Sequence, residues 1–209
     1  MRRWLLLTTC VVLFVILFLL ITAGRQQLPG IAQMAVTSAL PEQGMKDNGG
    51  QSTPDTRRDL FIDAERAPRA PALAAGNWIN SEPLSLDSLR GRVVLIDFWT
   101  FGCYNCRNTL PALKGWHERY SERGLTIIGV HSPEFDYEKE ISNVRRQVSA
   151  LGISYAVLTD NDFETWNKYG IRAWPTVVLL DKQGRIRWTH IGEGKYAETE
   201  KAMQKLLAE

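Results

Sequence analysis

Short apolar runs alternate with amphipathic stretches along residues 77–209, and this alternation predicts most of the secondary structure. Arg92–Trp99 is apolar on both faces apart from Asp97, as a central strand covered by helices should be. Cys103–Arg123 predicts a helix with Gly124 as its stop, and Leu125–His131 a second buried strand. Tyr137–Leu151 carries Ile141, Val144, Val148 and Leu151 on one helical face. Ser154–Leu158 predicts a strand and Phe163–Tyr169 a short helix ending at Gly170. Thr176–Leu180 and Arg185–His190 predict strands joined by the hairpin signal Asp181-Lys182-Gln183-Gly184, and Tyr196–Leu207 closes the chain as a helix. Ahead of these, Trp78–Ile79 and Leu84–Ser85 suggest short strands, and Leu86–Arg90 a helical turn stopped by Gly91. The expected class is α/β, a βαβ-rich sandwich ending in ββα.

The first 76 residues differ in kind. Trp4–Ala23 is a run of twenty uncharged, mostly apolar residues, about the length that crosses a bilayer as a helix. Arg2 and Arg3 precede it and Arg25 stands alone after it, so the positive-inside bias places the N-terminus in the cytoplasm and the rest outside. The reading is an anchor over 1–24; a cleaved signal peptide competes, but Thr22-Ala23-Gly24 makes a poor cleavage site. Residues 25–76 hold five of the nine prolines and no sustained period. They are expected to form a flexible linker, in which the apolar triplet Leu60-Phe61-Ile62 could dock but more often would be incidental. A single domain then occupies 77–209, and a net charge of +2 without a basic run gives nucleic-acid binding no support.

Cysteine use narrows the chemistry. Of three cysteines, Cys10 lies in the apolar N-terminal run, which leaves Cys103 and Cys106. One pair cannot staple a disulfide-rich fold. His117, His131 and His190 are too scattered to complete a four-ligand zinc site, and position 107 is arginine where covalent haem attachment needs histidine. A peroxidase of the peroxiredoxin type would carry proline four residues before Thr100, and position 96 is isoleucine. What remains is Cys103-Tyr104-Asn105-Cys106 between a strand and a helix, two thiols that can close into a disulfide and reopen.

Four features coincide: strand–CxxC–helix, Pro111 after it, Asp97 before it, and Trp174-Pro175-Thr176 ahead of a strand. Together they resemble the thioredoxin fold, a central mixed sheet flanked by helices. The extra strand and helix between the motif and Pro175 resemble the membrane-anchored TlpA/ResA-like branch. More narrowly, Asp97-Phe98-Trp99-Thr100, the stretch Gly129–Phe135, Asp160-Asn161-Asp162 and Gly192–Tyr196 resemble the thioredoxin-like domain of the DipZ family. The resemblance covers 77–209 and none of 1–76. Two positions depart from better-known thioredoxins: Gly102 stands where tryptophan often precedes the first cysteine, and Tyr104-Asn105 separates the thiols.

The resemblance implies a thiol–disulfide oxidoreductase without metal or cofactor, with Cys103–Cys106 as its redox-active disulfide. Cys103 would be the nucleophile and Cys106 the resolving thiol. Asp97 would be the buried acid that takes the proton of Cys106, unless it is a satisfied structural carboxylate. Glu134 is a second candidate for proton transfer, and His131 a weaker one, because a strand 125–131 parallel to 92–99 would end at the same edge as the CxxC. Pro175 would be cis and, with Trp174 and Trp99, would line a substrate groove, although core packing competes for both tryptophans. The expected protein is anchored in a bacterial inner membrane and faces the periplasm. There it would reduce protein disulfides, with roles such as cytochrome c maturation, and draw electrons from a separate membrane donor of the CcdA/DsbD type. An oxidase or isomerase of the same fold, or a binding module with a dispensable CxxC, are the rival readings.

Overall fold

β2, Val93–Trp99, is buried at every residue and lies between two partners. The computed structural model describes residues 61–209. The expected anchor and the linker as far as residue 60 lie outside them; among the described residues no helix is long and apolar enough to cross a membrane. The six strands are β1 (Trp78–Ile79), β2, β3 (Leu125–His131), β4 (Ala156–Thr159), β5 (Thr176–Leu180) and β6 (Ile186–Ile191), in the sheet order β1-β4-β3-β2-β5-β6. β2, β3 and β4 run parallel, while β1, β5 and β6 add antiparallel.

Helices α1 (Tyr104–Tyr120) and α2 (Ile141–Ala150) make the two parallel crossovers. Both steps run the same way across the sheet, so right-handed connection puts both helices on one face. α4 (Tyr196–Ala208) joins that face, where Leu95, Trp99, Leu113, Trp116, Val144, Tyr155 and Met203 share one core. α3 (Glu164–Lys168) connects β4 back to β5, and the alternate residues Val94, Ile96 and Phe98 pack with its Trp166 in a second core.

Local chemistry moved some element boundaries. Leu84–Ser85 is no strand, because Ser85 and Ser88 bond each other's backbone and close a turn. α2 starts at Ile141 instead of Tyr137, after a separate 3-10 turn at Asp136–Glu138. β4 starts two residues later than the pattern suggests.

The end of the expected linker also departs from expectation. Residues 61–76 are not free chain: they lie along β6 and α3. Ile62 exchanges hydrogen bonds with Arg187, N–H to carbonyl at 2.7 Å and guanidinium to carbonyl at 2.6 Å. Ala70 donates to Gly184, Ile186 to Pro68, and Tyr169 through its hydroxyl to Pro71. Phe61 lies under the cations of Arg187 and Lys205, at 4.8 and 3.9 Å from its ring centre. The physical reason is that β6 is an edge strand, whose unpaired backbone groups need covering. A proline-rich segment without periodicity can do this through scattered main-chain bonds. A chain beginning at residue 77 should therefore be less stable than one beginning at 61 by about 2–4 kcal/mol, from the lost burial and the orphaned Arg187 donor. Urea midpoints of the two chains check this, and equal midpoints would refute it.

Candidate functional site

The site forms where β2 ends. Thr100, Phe101 and Gly102 carry the chain from β2 to Cys103, which caps α1 in extended conformation. Its Sγ accepts the N–H of Cys106 at 3.2 Å, the bond a serine or aspartate oxygen would make at a helix start. No acidic side chain stands in the first turn of α1, so nothing within that turn offsets the positive end of the helix dipole at the sulfur. Both cysteines are free thiols; Cys103 is half-buried and Cys106 buried. Burial first, then the hydrogen bond with Cys103, holds the Cys106 thiol far above the ordinary cysteine range. Of the two sulfurs, Cys103 is the one that solvent reaches.

Asp97 lies on the β2 face that α1 covers and is 1% exposed. Burial pushes its carboxyl up to about 7. Its Oδ1 has no protein partner, nor do the nearby Nε1 of Trp99 and hydroxyl of Tyr155, so three buried polar atoms gather under the dithiol. Gly129 makes the room. It is the neighbour of Asp97 on β3, and a Cβ there would meet Trp99 Nε1 at 2.9 Å and the Tyr155 ring at 3.3 Å. Tyr155, which precedes β4, was not singled out from sequence, since a tyrosine before a strand looks like any other core residue.

The register of the sheet brings the remaining groups in. Phe98 pairs with Thr176, which sets Pro175 opposite the last residue of β2. The Trp174–Pro175 bond is cis, and Gly192 donates to the Pro175 carbonyl at 2.8 Å. Trp174 is half-buried, packs at a tilt against Trp166 with ring centres 4.5 Å apart, and donates to the Ser132 carbonyl. Trp99, for which core packing and a groove wall were both open, is wholly buried. As an odd-numbered residue of β2 it points under α1, toward the core.

The two candidates at the end of β3 separate as well. His131 is buried, with Nε2 3.3 Å from Thr100 Oγ1 and its ring stacked on Phe101. Burial pushes it down to about 4, so the ring is neutral at pH 7 and braces the loop. Glu134 is exposed, and its backbone N–H, not its carboxylate, takes part, as a donor to Glu138. Glu138 is the acid that sequence reasoning missed. It is wholly buried and accepts N–H groups from Gly102 at 2.8 Å, Glu134 at 2.6 Å and Phe135 at 3.1 Å. Around the thiols stand exposed aromatic rings: Tyr104, and Phe135 stacked on Tyr137, which in turn touches Phe101.

The AhpC/TSA family model matches residues 67–189. The protein DipZ of Mycobacterium tuberculosis is 44% identical over 133 residues, covering 62% of this chain and 19% of DipZ. The thiol-disulfide oxidoreductase ResA of Halalkalibacterium halodurans is 30% identical over 114 residues, covering 54% of this chain and 62% of ResA. The chain thus spans about a fifth of one relative's length and under two thirds of the other's. The crystal structure of a thiol-disulfide isomerase from Corynebacterium glutamicum superposes with a TM-score of 0.61 at 28% identity, covering 67% of this chain and 97% of that one. The fold is that of thioredoxin: a mixed sheet between helices, with a CxxC at a helix start and a cis-proline opposite the end of β2. The chain belongs to the AhpC/TSA family, as a thioredoxin-like member similar to DipZ and to the ResA thiol-disulfide oxidoreductases.

Proposed function

We propose that this protein is a thiol–disulfide oxidoreductase that reduces disulfides in partner proteins through Cys103 and Cys106. The observation that carries the reading is the pair itself: an accessible sulfur capping α1, a buried second thiol one turn on, and a buried carboxyl beneath. Cys103 attacks a partner disulfide as thiolate; one partner sulfur leaves and takes up a proton, and a mixed disulfide joins Cys103 to the other. Asp97 removes the proton of Cys106, whose sulfur attacks Cys103. The Cys103–Cys106 bond forms, the Cys103–partner bond breaks, and the partner departs with both sulfurs reduced. Two electrons have passed to the partner and must be returned by a separate donor, for which a membrane protein of the CcdA/DsbD type is our candidate. Trp174, Pro175 and the exposed rings of Tyr104, Phe135 and Tyr137 would hold the extended partner chain. Glu134 keeps a proposed share in proton transfer only through solvent, given its exposure.

The proposed setting is a bacterial inner membrane, with 1–24 as a single span and the domain in the periplasm. The arginines and apolar run at the N-terminus support it. Apocytochrome c thiols and oxidised periplasmic enzymes are the substrate classes. An isomerase or oxidase is the second reading, favoured by the likeness to the Corynebacterium isomerase.

The equilibrium reduction potential separates the two. A value near about −270 mV is expected for a reductant, whereas one near about −120 mV would make the protein an oxidant. C106S should accumulate a mixed disulfide with partner proteins and C103S should not; a protein that never cycles would refute the enzyme reading. D97N should slow release of the mixed disulfide by about 100-fold at pH 7, the usual worth of a positioned base.

Asp97 also makes a stability prediction. Its carboxyl ordinarily ionises near 3.8 and here near 7. A raised value in the folded state leaves stability intact below about pH 4. It costs stability progressively from there to about pH 7, where the unfolded chain has already lost the proton. The full cost is on the order of 4 kcal/mol, at about 1.4 kcal/mol per pH unit. Urea unfolding of the dithiol form at pH 4.5, 6 and 8 should show this fall in the parent and a flatter profile in D97N.

A further inference from the structure

Gly102 stands directly before Cys103, and its small size has a specific use. A Cβ at Gly102 would collide with Oε1 of Glu138 and stand 3.0 Å from the Tyr137 hydroxyl oxygen. Gly102 is not among the glycines with positive φ, so the backbone does not require glycine. The space does, because a carboxylate fills it. That carboxylate is 0% exposed. One of its oxygens accepts the Gly102 N–H, and the other accepts those of Glu134 and Phe135. Three donors are what a buried anion needs to be tolerated, and they come from two segments: the loop before the nucleophile and the turn after β3. On the other side of the same loop, Thr100 and Phe101 rest on the neutral ring of His131.

We propose that the Glu138–Gly102 contact sets the redox poise of the Cys103–Cys106 pair. Glu138 acts as a positioning residue: it fixes the peptide that presents Cys103 and holds a negative charge one residue away from its sulfur. This rests on the thiol–disulfide function proposed above. A fixed anion beside Cys103 opposes negative charge on sulfur in the dithiol state and leaves the neutral disulfide untouched. It therefore pulls the pair toward the reducing end. The usual tryptophan before the first cysteine has no place here, because its side chain would evict the carboxylate.

The test is the glutathione equilibrium of the whole chain, in which the protein disulfide and two glutathiones give the dithiol and one glutathione disulfide. The two electrons and both protons come from glutathione. E138Q removes the charge and sets an amide donor against N–H donors. It should shift the equilibrium toward the dithiol about tenfold, which is about 30 mV. G102A leaves Glu138 chemically intact but displaces its carboxylate from the opposite side, and should shift the equilibrium the same way, by threefold or more. The double variant should add little to the larger single effect, because both changes break one contact.

A merely structural brace predicts otherwise: lower stability in both variants with the glutathione equilibrium unchanged within twofold, and that result would overturn the proposal. If E138Q does not fold, G102A decides alone. Failure of the parent to equilibrate with glutathione would overturn the functional reading and this one together. Unshifted variants beside a cycling parent would overturn only the clamp.

Discussion

The position of β2 is the constraint on which the site depends. It is bonded to β3 on one side and β5 on the other, and covered by α1 and by the second core. Everything at its C-terminal end is thereby fixed in three directions. The chain itself continues into Cys103; the parallel register with β3 sets His131 beside Trp99; the antiparallel register with β5 sets Pro175 opposite the same point. A slip of one residue in either pairing would turn the odd-numbered face of β2 away from α1. Asp97 would then no longer lie under the thiols.

Two buried carboxylates flank this end, in opposite circumstances. Asp97 lies in the sheet without a hydrogen-bond donor for Oδ1. Desolvation thus dominates and pushes the carboxyl up to about 7. Glu138 lies in a turn whose backbone points three N–H groups at it, a ready-made anion cradle. One acid lies without a donor at Oδ1, and the other is held by three. The difference lies in backbone donors: a strand commits its N–H groups to the sheet, whereas a turn has them to spare.

Burial likewise decides which aromatic residues can meet a partner. Trp99 belongs to the core, while Phe135 and Tyr137, from the segment after β3, are half-exposed and stacked beside the Cys103 loop. The crossover from β3 to β4 thus contributes to the site twice, with rings outside and Glu138 inside.

What was legible in the sequence was whatever is encoded within a few residues. The apolar runs marked the strands, helical spacing marked α1, α2 and α4, Gly124 marked a helix stop, and the two cysteines marked the dithiol. Asp97 stood out because a carboxylate is anomalous in an apolar strand. What only the tertiary structure decided were contacts between distant segments. Glu138 sits among Asp136, Lys139 and Glu140, so from sequence it reads as the polar face of a helix; its bond to Gly102 crosses 36 residues. Phe61 and Ile62 looked incidental because their partner, Arg187, lies far along the chain. Glu134 was the nearer acid to β3, yet the 3-10 turn at Asp136–Glu138 sends Glu138 inward and leaves Glu134 outside. Periodicity reports which face of an element is buried; it carries no information on which distant backbone donors will meet a given side chain, and that is settled only when the sheet sets its register.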